Sequence, residues 1–312
     1  MSGVREKIDI EEHMYKYGEH VVMIDRRPLA ISVAKFWSAF DDYLSLQKDL
    51  ALHEDTRLEP GPANGPGATI SFAYRGSRTY ETLLVKDDDK YLWKMHLPRP
   101  NAVFSFYEAT VQLYPGKDGK PDEAEAKLDG VFIEKDDEKR RTLIDSIAEV
   151  WITRIRELTL FVLHRDGTKQ SHEFVIKRPV EYMWNVVGDW GNVDWVIGAK
   201  SVKVYDTKPY RGRTIYLENG GEIFEYEKEN NKDEHKLVYV VERSTGQNPI
   251  QIYEGTLQLT EDCGKSDSVK IAYDLVFLPK KGVPKDEAYE MLEKDMKRRF
   301  SLLQEKFDKK PC

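Results

Sequence analysis

The first half of the chain returns in the second. Phe106-Tyr-Glu-Ala-Thr-Val-Gln-Leu113 is matched by Ile252-Tyr-Glu-Gly-Thr-Leu-Gln-Leu259, an offset of 253 − 107 = 146 between the two tyrosines. Gly67-Ala-Thr-Ile70 recurs as Gly212-Arg-Thr-Ile215 (145), Tyr80-Glu81 as Phe224-Glu225 (144), Leu128-Asp-Gly-Val-Phe132 as Tyr273-Asp-Leu-Val-Phe277 (145), and Trp37 as Trp184 (147). The order holds and the spacing drifts by only a few residues, which chance does not produce five times over. A repeat of this length is a whole domain, longer than any solenoid unit. The sequence therefore predicts two copies of one fold, residues 1–168 and 169–312, joined in the polar, turn-forming stretch His164-Arg-Asp-Gly-Thr-Lys-Gln-Ser171.

Two copies need two cores. The 312 residues allow two domains of ordinary size, and six Trp, 17 Tyr and 12 Phe provide large surfaces to bury. Charge is mildly acidic and interspersed, 48 Lys+Arg against 55 Asp+Glu giving 48 − 55 = −7. That excludes the basic face a nucleic-acid binder needs. No stretch has the roughly 18 apolar residues of a membrane span. The opening Met1 to His20 is polar where a signal peptide carries an apolar run, so a cytoplasmic location is the expectation. Cys263 and Cys312, one in a polar loop and one at the terminus, make neither a disulfide framework nor a zinc site.

Each copy reads in the same order. A short apolar strand (Glu19 to Asp25; His172 to Lys177) precedes a helical stretch whose apolar residues recur at i, i+3, i+4, i+7: Val33, Phe36, Trp37 and Phe40, then Val180, Met183, Trp184 and Val187. Runs of strand-like alternation follow, separated in the second copy by turn residues at Asn219-Gly-Gly221, Asn230 to Asp233, Ser244 to Pro249 and Asp262 to Asp267. A long helix closes each copy, Lys135 to Leu163 and Pro284 to Phe307, the latter with the stripe Leu292, Met296, Phe300 and Leu303. The pattern predicts an α+β domain, a curved antiparallel sheet of about seven strands gripping its terminal helix.

The second copy carries a resemblance. Phe174-Val-Ile-Lys-Arg-Pro-Val-Glu-Tyr-Met-Trp184, Val187-Gly-Asp-Trp-Gly-Asn-Val-Asp-Trp195, the strand start Gly212-Arg-Thr, Tyr253-Glu-Gly-Thr-Leu257 and Tyr273-Asp-Leu-Val-Phe-Leu-Pro279 resemble the polyketide-cyclase/dehydrase branch of the START-like (SRPBCC) superfamily. The superfamily also holds pollen-allergen-type lipid binders and plant abscisic-acid receptors. The first copy departs from the pattern: Asp41-Asp-Tyr43 stands where Asp189-Trp190 does, and Glu59 to Gly67 is rich in Gly and Pro. The resemblance implies tandem helix-grip domains with an internal cavity that holds an apolar small molecule. It also implies two loops beside the mouth, here Glu218 to Glu222 and Arg243 to Pro249, neither with the receptors' own gate or latch sequence.

Alternation assigns faces without the family. Tyr253, Gly255, Leu257 and Leu259 share one face and Ile252, Glu254, Thr256 and Gln258 the other; Tyr107, Ala109, Val111 and Leu113 repeat the first. The apolar face is the inner one. Tyr next to a small residue reads either as a pocket wall with a polar handle or as plain packing against the helix. Candidate ligand-binding residues are Tyr253, Gly255, Leu257, Tyr239, Val241, Arg243, Phe224, Tyr226 and Trp195, with Tyr107, Ala109, Val111 and Asp129 in the first copy. Asp129 and Asp274 sit in equivalent strands whose two faces are equally apolar, so their direction stays open. Arg243 is either a ligand partner or a solvated strand end, and Arg75 and Arg78 read as exposed turn charges.

Missing motifs narrow the chemistry. There is no phosphate-cradling Gly-rich loop, no H-E-x-x-H and no G-x-S-x-G, and the seven His do not cluster. His53-Glu54-Asp55 and Asp233-Glu234-His235 read as charged turns. No metal and no cofactor is expected. Three functions compete. The first is binding of a lipid, sterol, pigment or polyketide-like aromatic for transport, storage or sensing. The second is a two-domain aromatase/cyclase closing a poly-carbonyl chain by aldol cyclisation and dehydration. That chemistry requires a base and an oxyanion donor, for which Asp274 or Glu222 and Arg243 or Tyr253 are the candidates. The third makes one copy a degenerate scaffold or interaction module.

Overall fold

A computed structural model describes residues 15–17, 20–29, 31–39, 54–62, 65–74, 77–99, 106–115, 124–133, 137–206, 210–245 and 249–308. His13, Phe40, Asp41 to Tyr43, His53, Arg75 and Cys312 lie outside them. The chain divides into two compact units, Lys7–Val162 and Leu163–Cys312.

The first unit contains β1 (Tyr15–Tyr17), β2 (His20–Leu29), α1 (Val33–Trp37), β3 (Glu54–Leu58), β4 (Thr69–Tyr74), β5 (Ser77–Asp87), β6 (Leu92–His96), β7 (Phe106–Pro115) and β8 (Ala124–Ile133). The helix α2 (Asp137–Asp166) follows, its last turn falling in the second unit. Then come β9 (Thr168–Ile176), α3 (Val180–Val187), β10 (Ala199–Tyr205), β11 (Gly212–Leu217), β12 (Glu222–Asn231), β13 (Lys236–Ser244), β14 (Ile250–Asp262), β15 (Lys265–Pro279) and α4 (Lys285–Asp308). Among the described residues the strands form two antiparallel sheets, ordered β1-β2-β8-β7-β6-β5-β4-β3 and β10-β11-β12-β13-β14-β15-β9. Apart from the short β1, the two orders correspond strand for strand. In each, the first long strand closes against the last, and the intervening strands form a meander. The architecture is α+β, with the helix-grip arrangement in each unit.

Local sequence accounts for these elements. Strand β7 buries Tyr107, Ala109, Val111 and Leu113 while the residues between them stay half-buried, the alternation of a sheet with one face on a core. Helix α4 starts after Pro284 with Asp286 and Glu287 in its first turn, where negative charge meets the helix's positive end. It buries Ala288, Leu292, Met296, Leu303 and Phe307. Gly167 between α2 and β9 is required by close approach: a Cβ there would lie 2.2 Å from the Leu163 carbonyl oxygen. None of the helices among the described residues is long and apolar enough to cross a membrane.

Candidate functional site

Between the second sheet and α4 lies a cavity that gives the centres of water-sized molecules about 60 Å³, within about 700 Å³ of empty space that includes open solvent. Leu257 and Ile271 from the sheet, Met183 and Val187 from α3, and Met296 and Leu303 from α4 give it apolar walls. Into that wall the sheet inserts three phenols. Tyr239 pairs across the ladder with Gly255, and Tyr273 pairs with Leu257, so the two rings lean toward each other over the glycine. Their hydroxyls bond at 2.5 Å. A Cβ on residue 255 would stand 3.0 Å from both rings, so the absence of a side chain there creates the room for the pair. Tyr253 joins them, its ring 6.2 Å from that of Tyr239 and its hydroxyl interacting with both.

Burial in this apolar setting keeps the phenols protonated. Desolvation, then the neighbouring Tyr273, raises Tyr239 well above the usual phenol range. Tyr273 moves the same way, by burial and then by Tyr253. Tyr253 rises to about 12 through burial and the nearby Glu225. The cluster is thus a set of neutral hydroxyl donors and acceptors.

Two charged groups reach the same cavity. Glu225 on β12 is buried and faces inward. Its carboxylate accepts from Arg213 Nε at 2.5 Å, and Arg213 Nη1 donates to the Trp190 carbonyl at 2.9 Å. The Arg213 guanidinium lies 3.8 Å above the Trp190 ring. Burial raises the Glu225 carboxyl although Arg213 opposes the shift. Arg299 on α4 lines the cavity with its side chain 36 % exposed, bonded to Asp295 one turn back at 2.7 Å. Trp195 packs edge-on to Tyr239 at 5.9 Å, and its Nε1 is buried without an acceptor, a donor available to an oxygen entering the cavity.

Several residues expected at the site lie elsewhere. Asp274 is exposed on the outer face opposite Thr256, because Ile271, Tyr273, Leu275 and Phe277 take the inner one. Asp129 likewise lies outward, bonded to Lys127 at 2.7 Å, while Leu128, Gly130 and Phe132 alternate inward. Arg243 shares a face with Val241 only in an unbroken strand. A bulge, where Phe224 and Glu225 pair with Arg243 and Val241, inserts Glu242 and turns Arg243 out, 5.0 Å over the Phe224 ring. Glu222 is exposed, its backbone N–H bonded to Thr245 Oγ1 at 2.7 Å, which ties the two loops together. Phe224 and Tyr226 face away from the cavity; Ile223 and Glu225 line it. Tyr226 is still buried, stacked 5.2 Å from Tyr210. Val241 is buried in the core beside the cavity, while Tyr239, Tyr253, Leu257 and Trp195 line it.

In the first unit, Tyr107 is buried and its hydroxyl accepts from Trp151 Nε1 on α2 at 3.1 Å. Ala109 and Val111 are buried beside it. Arg78 pairs with Asp55 at 3.0 Å. The charged turn at Asp233 to His235 holds an imidazole 3.0 Å from Glu181. Among the described residues no group of three His, Cys, Asp or Glu is placed to hold a metal.

No protein-family model and no curated protein matches the chain. Solved structures similar to it include the di-domain ARO/CYC BexL from the BE-7585A biosynthetic pathway, 11 % identical over 93 % of this chain and 99 % of that one, with a TM-score of 0.39. The protein XoxI from Bacillus cereus is 21 % identical over 45 % of this chain and 95 % of its own, with a TM-score of 0.39. Ara h 8.0201 is 15 % identical over 46 % of this chain and 99 % of its own, with a TM-score of 0.37.

Proposed function

We propose that the second unit binds an apolar small molecule between its sheet and α4, and that the two units descend from one duplicated domain. The observation that carries the binding reading is the tyrosine cluster. Three buried hydroxyls meeting inside an apolar cavity, with Gly255 making the space, are the few convergent polar groups of a ligand site. The unpaired Trp195 Nε1 supplies a further donor. The ligand is therefore an apolar body bearing an oxygen function, a description that fits a lipid, sterol, pigment or polyketide-like aromatic. Tyr253, Tyr239, Gly255, Leu257 and Trp195 form its site.

Glu225 favours a second reading, cyclisation and dehydration of a poly-carbonyl chain. A buried carboxyl raised above its usual range and facing the cavity is placed for proton transfer, and the phenols for steadying an enolate oxygen. Glu225 then takes the role that Asp274 and Glu222 are too exposed to fill.

Purifying the full chain from its native source or a lipid-rich host, extracting it and identifying what co-purifies by mass spectrometry tests both readings. A stoichiometric apolar molecule recovered unchanged supports binding. A cyclised product formed from a supplied poly-carbonyl substrate and lost in Glu225→Gln supports the enzyme. Absence of any ligand, together with no uptake of added apolar probes, contradicts both.

A further inference from the structure

The two units treat one buried carboxylate differently. The bulge between Leu83 and Val85 in β5 and that between Glu227 and Glu229 in β12 coincide at an offset of 144, which places Glu81 and Glu225 at one site of the fold. On the closing helices an offset of 145 matches Ile147, Trp151, Leu158 and Val162 with Leu292, Met296, Leu303 and Phe307, all buried. The same offset matches Arg154 with Arg299. Each unit thus has a glutamate on the sheet and an arginine on the helix that can meet.

In the first unit they do meet. Arg154 Nη2 donates to Glu81 Oε2 at 3.2 Å, with both side chains about 5 % exposed or less. Across the ladder Glu81 faces Ile70, which offers the carboxylate nothing. In the second unit the ladder residue facing Glu225 is Arg213, and it takes the carboxylate. Arg299 then turns to Asp295 and to the cavity, close enough to the three phenols and to Glu225 to act on them electrostatically. Arg213 itself does not line the cavity.

We propose that Arg213 is a positioning residue: by holding Glu225 it keeps that carboxylate off the α4 guanidinium of Arg299, which bonds Asp295 through Nε and offers its remaining N–H groups to an anionic oxygen of the ligand, a carboxylate, enolate or phenolate. In the first unit Glu81 occupies the corresponding guanidinium, and the sheet is bolted to the helix. This rests on the reading that the second unit's cavity binds an apolar molecule, and it adds the charge of that molecule. Arg213 acts through Glu225 and touches no ligand.

The test uses the full chain and two fluorescent probes with the same aromatic body, 8-anilinonaphthalene-1-sulfonate and its uncharged counterpart N-phenyl-1-naphthylamine. Arg299→Gln is expected to weaken the sulfonate probe about tenfold or more, the strength of a charge-assisted hydrogen bond, and to leave the neutral probe unchanged. Arg213→Ala releases Glu225 to Arg299 and is expected to weaken the sulfonate probe alone by a similar factor. Adding Glu225→Gln to Arg213→Ala restores sulfonate binding, which a merely structural role for Arg213 would not do. Glu225→Gln alone, a milder change, leaves the sulfonate probe bound at least as tightly, because Arg213 already keeps that carboxylate off Arg299 and the variant removes its negative charge beside the cavity. If Arg299→Gln affects both probes equally, or if Glu225→Gln weakens the sulfonate probe, the proposal is overturned. If neither probe binds the unaltered chain, the cavity reading fails first.

Discussion

Gly255 and the two phenols above it form the smallest unit of the site. A methyl group at position 255 meets Tyr239 and Tyr273 at 3.0 Å, so Gly255→Ala is expected to force the pair apart. The cost expected from overpacking is about 1–3 kcal/mol, measured by urea denaturation, with loss of probe binding in the folded protein. The phenols also set an alkaline limit. Their folded pKa values lie above those of the unfolded chain, so the folded state holds more protons in the interval between. Stability from this source is complete below pH 10 and lost as pH rises toward the folded values, about 12 for Tyr253. An absorbance titration of the 17 tyrosines should show a delayed fraction that ionises together with unfolding, and Tyr253→Phe should reduce it. A titration in which every phenol ionises near 10 with the fold intact speaks against the cluster.

At this scale the inner face of β14 was legible, because Tyr253, Gly255, Leu257 and Leu259 alternate with polar residues. The face of β12 was not. Phe224 and Tyr226 were the candidate binding residues, whereas an ion pair with Arg213 admits Glu225 to the interior and Tyr210 covers Tyr226. A signal for Glu225 was present in the repeat: a glutamate at 81 and 225 and an arginine at 154 and 299 recur at the offsets of the apolar landmarks.

Elements add what alternation cannot supply. The bulge at Glu242 reverses the side of Arg243, and no residue type in Val240 to Ser244 announces it. The closing helices were readable from their apolar stripes, and they now explain why the two units differ inside. Trp151 on α2 reaches Tyr107, while Met296 on α4, its counterpart, leaves space before Tyr253. Met296→Trp is expected to fill the second cavity. Its folding cost should stay within about 3 kcal/mol, because the fold already carries a tryptophan at the equivalent place. Near-UV circular dichroism and a denaturation curve check that the variant folds. A collapse of tertiary structure would show that the space between sheet and α4 does not take an indole.

For the whole molecule, the alternating runs around Tyr-Glu-x-Thr-x-Gln-Leu in both halves made the α+β class and the antiparallel strand content readable. Apart from the short β1, the two sheets share one order: hairpin meanders closed by the first long strand, each with a long helix after it. Whether each copy has room for a ligand was not readable, since that depends on side chains from different elements. In one unit the tyrosine and the helix arginine bond Trp151 and Glu81, and in the other their counterparts Tyr253 and Arg299 line a cavity. The central claim is an apolar-ligand site in the second unit, between its sheet and α4. Titrating the full chain and its Met296→Trp variant with N-phenyl-1-naphthylamine by calorimetry tests it most directly. The account predicts a saturable site in the unaltered chain that the folded variant has lost. Equal binding by both proteins would contradict it.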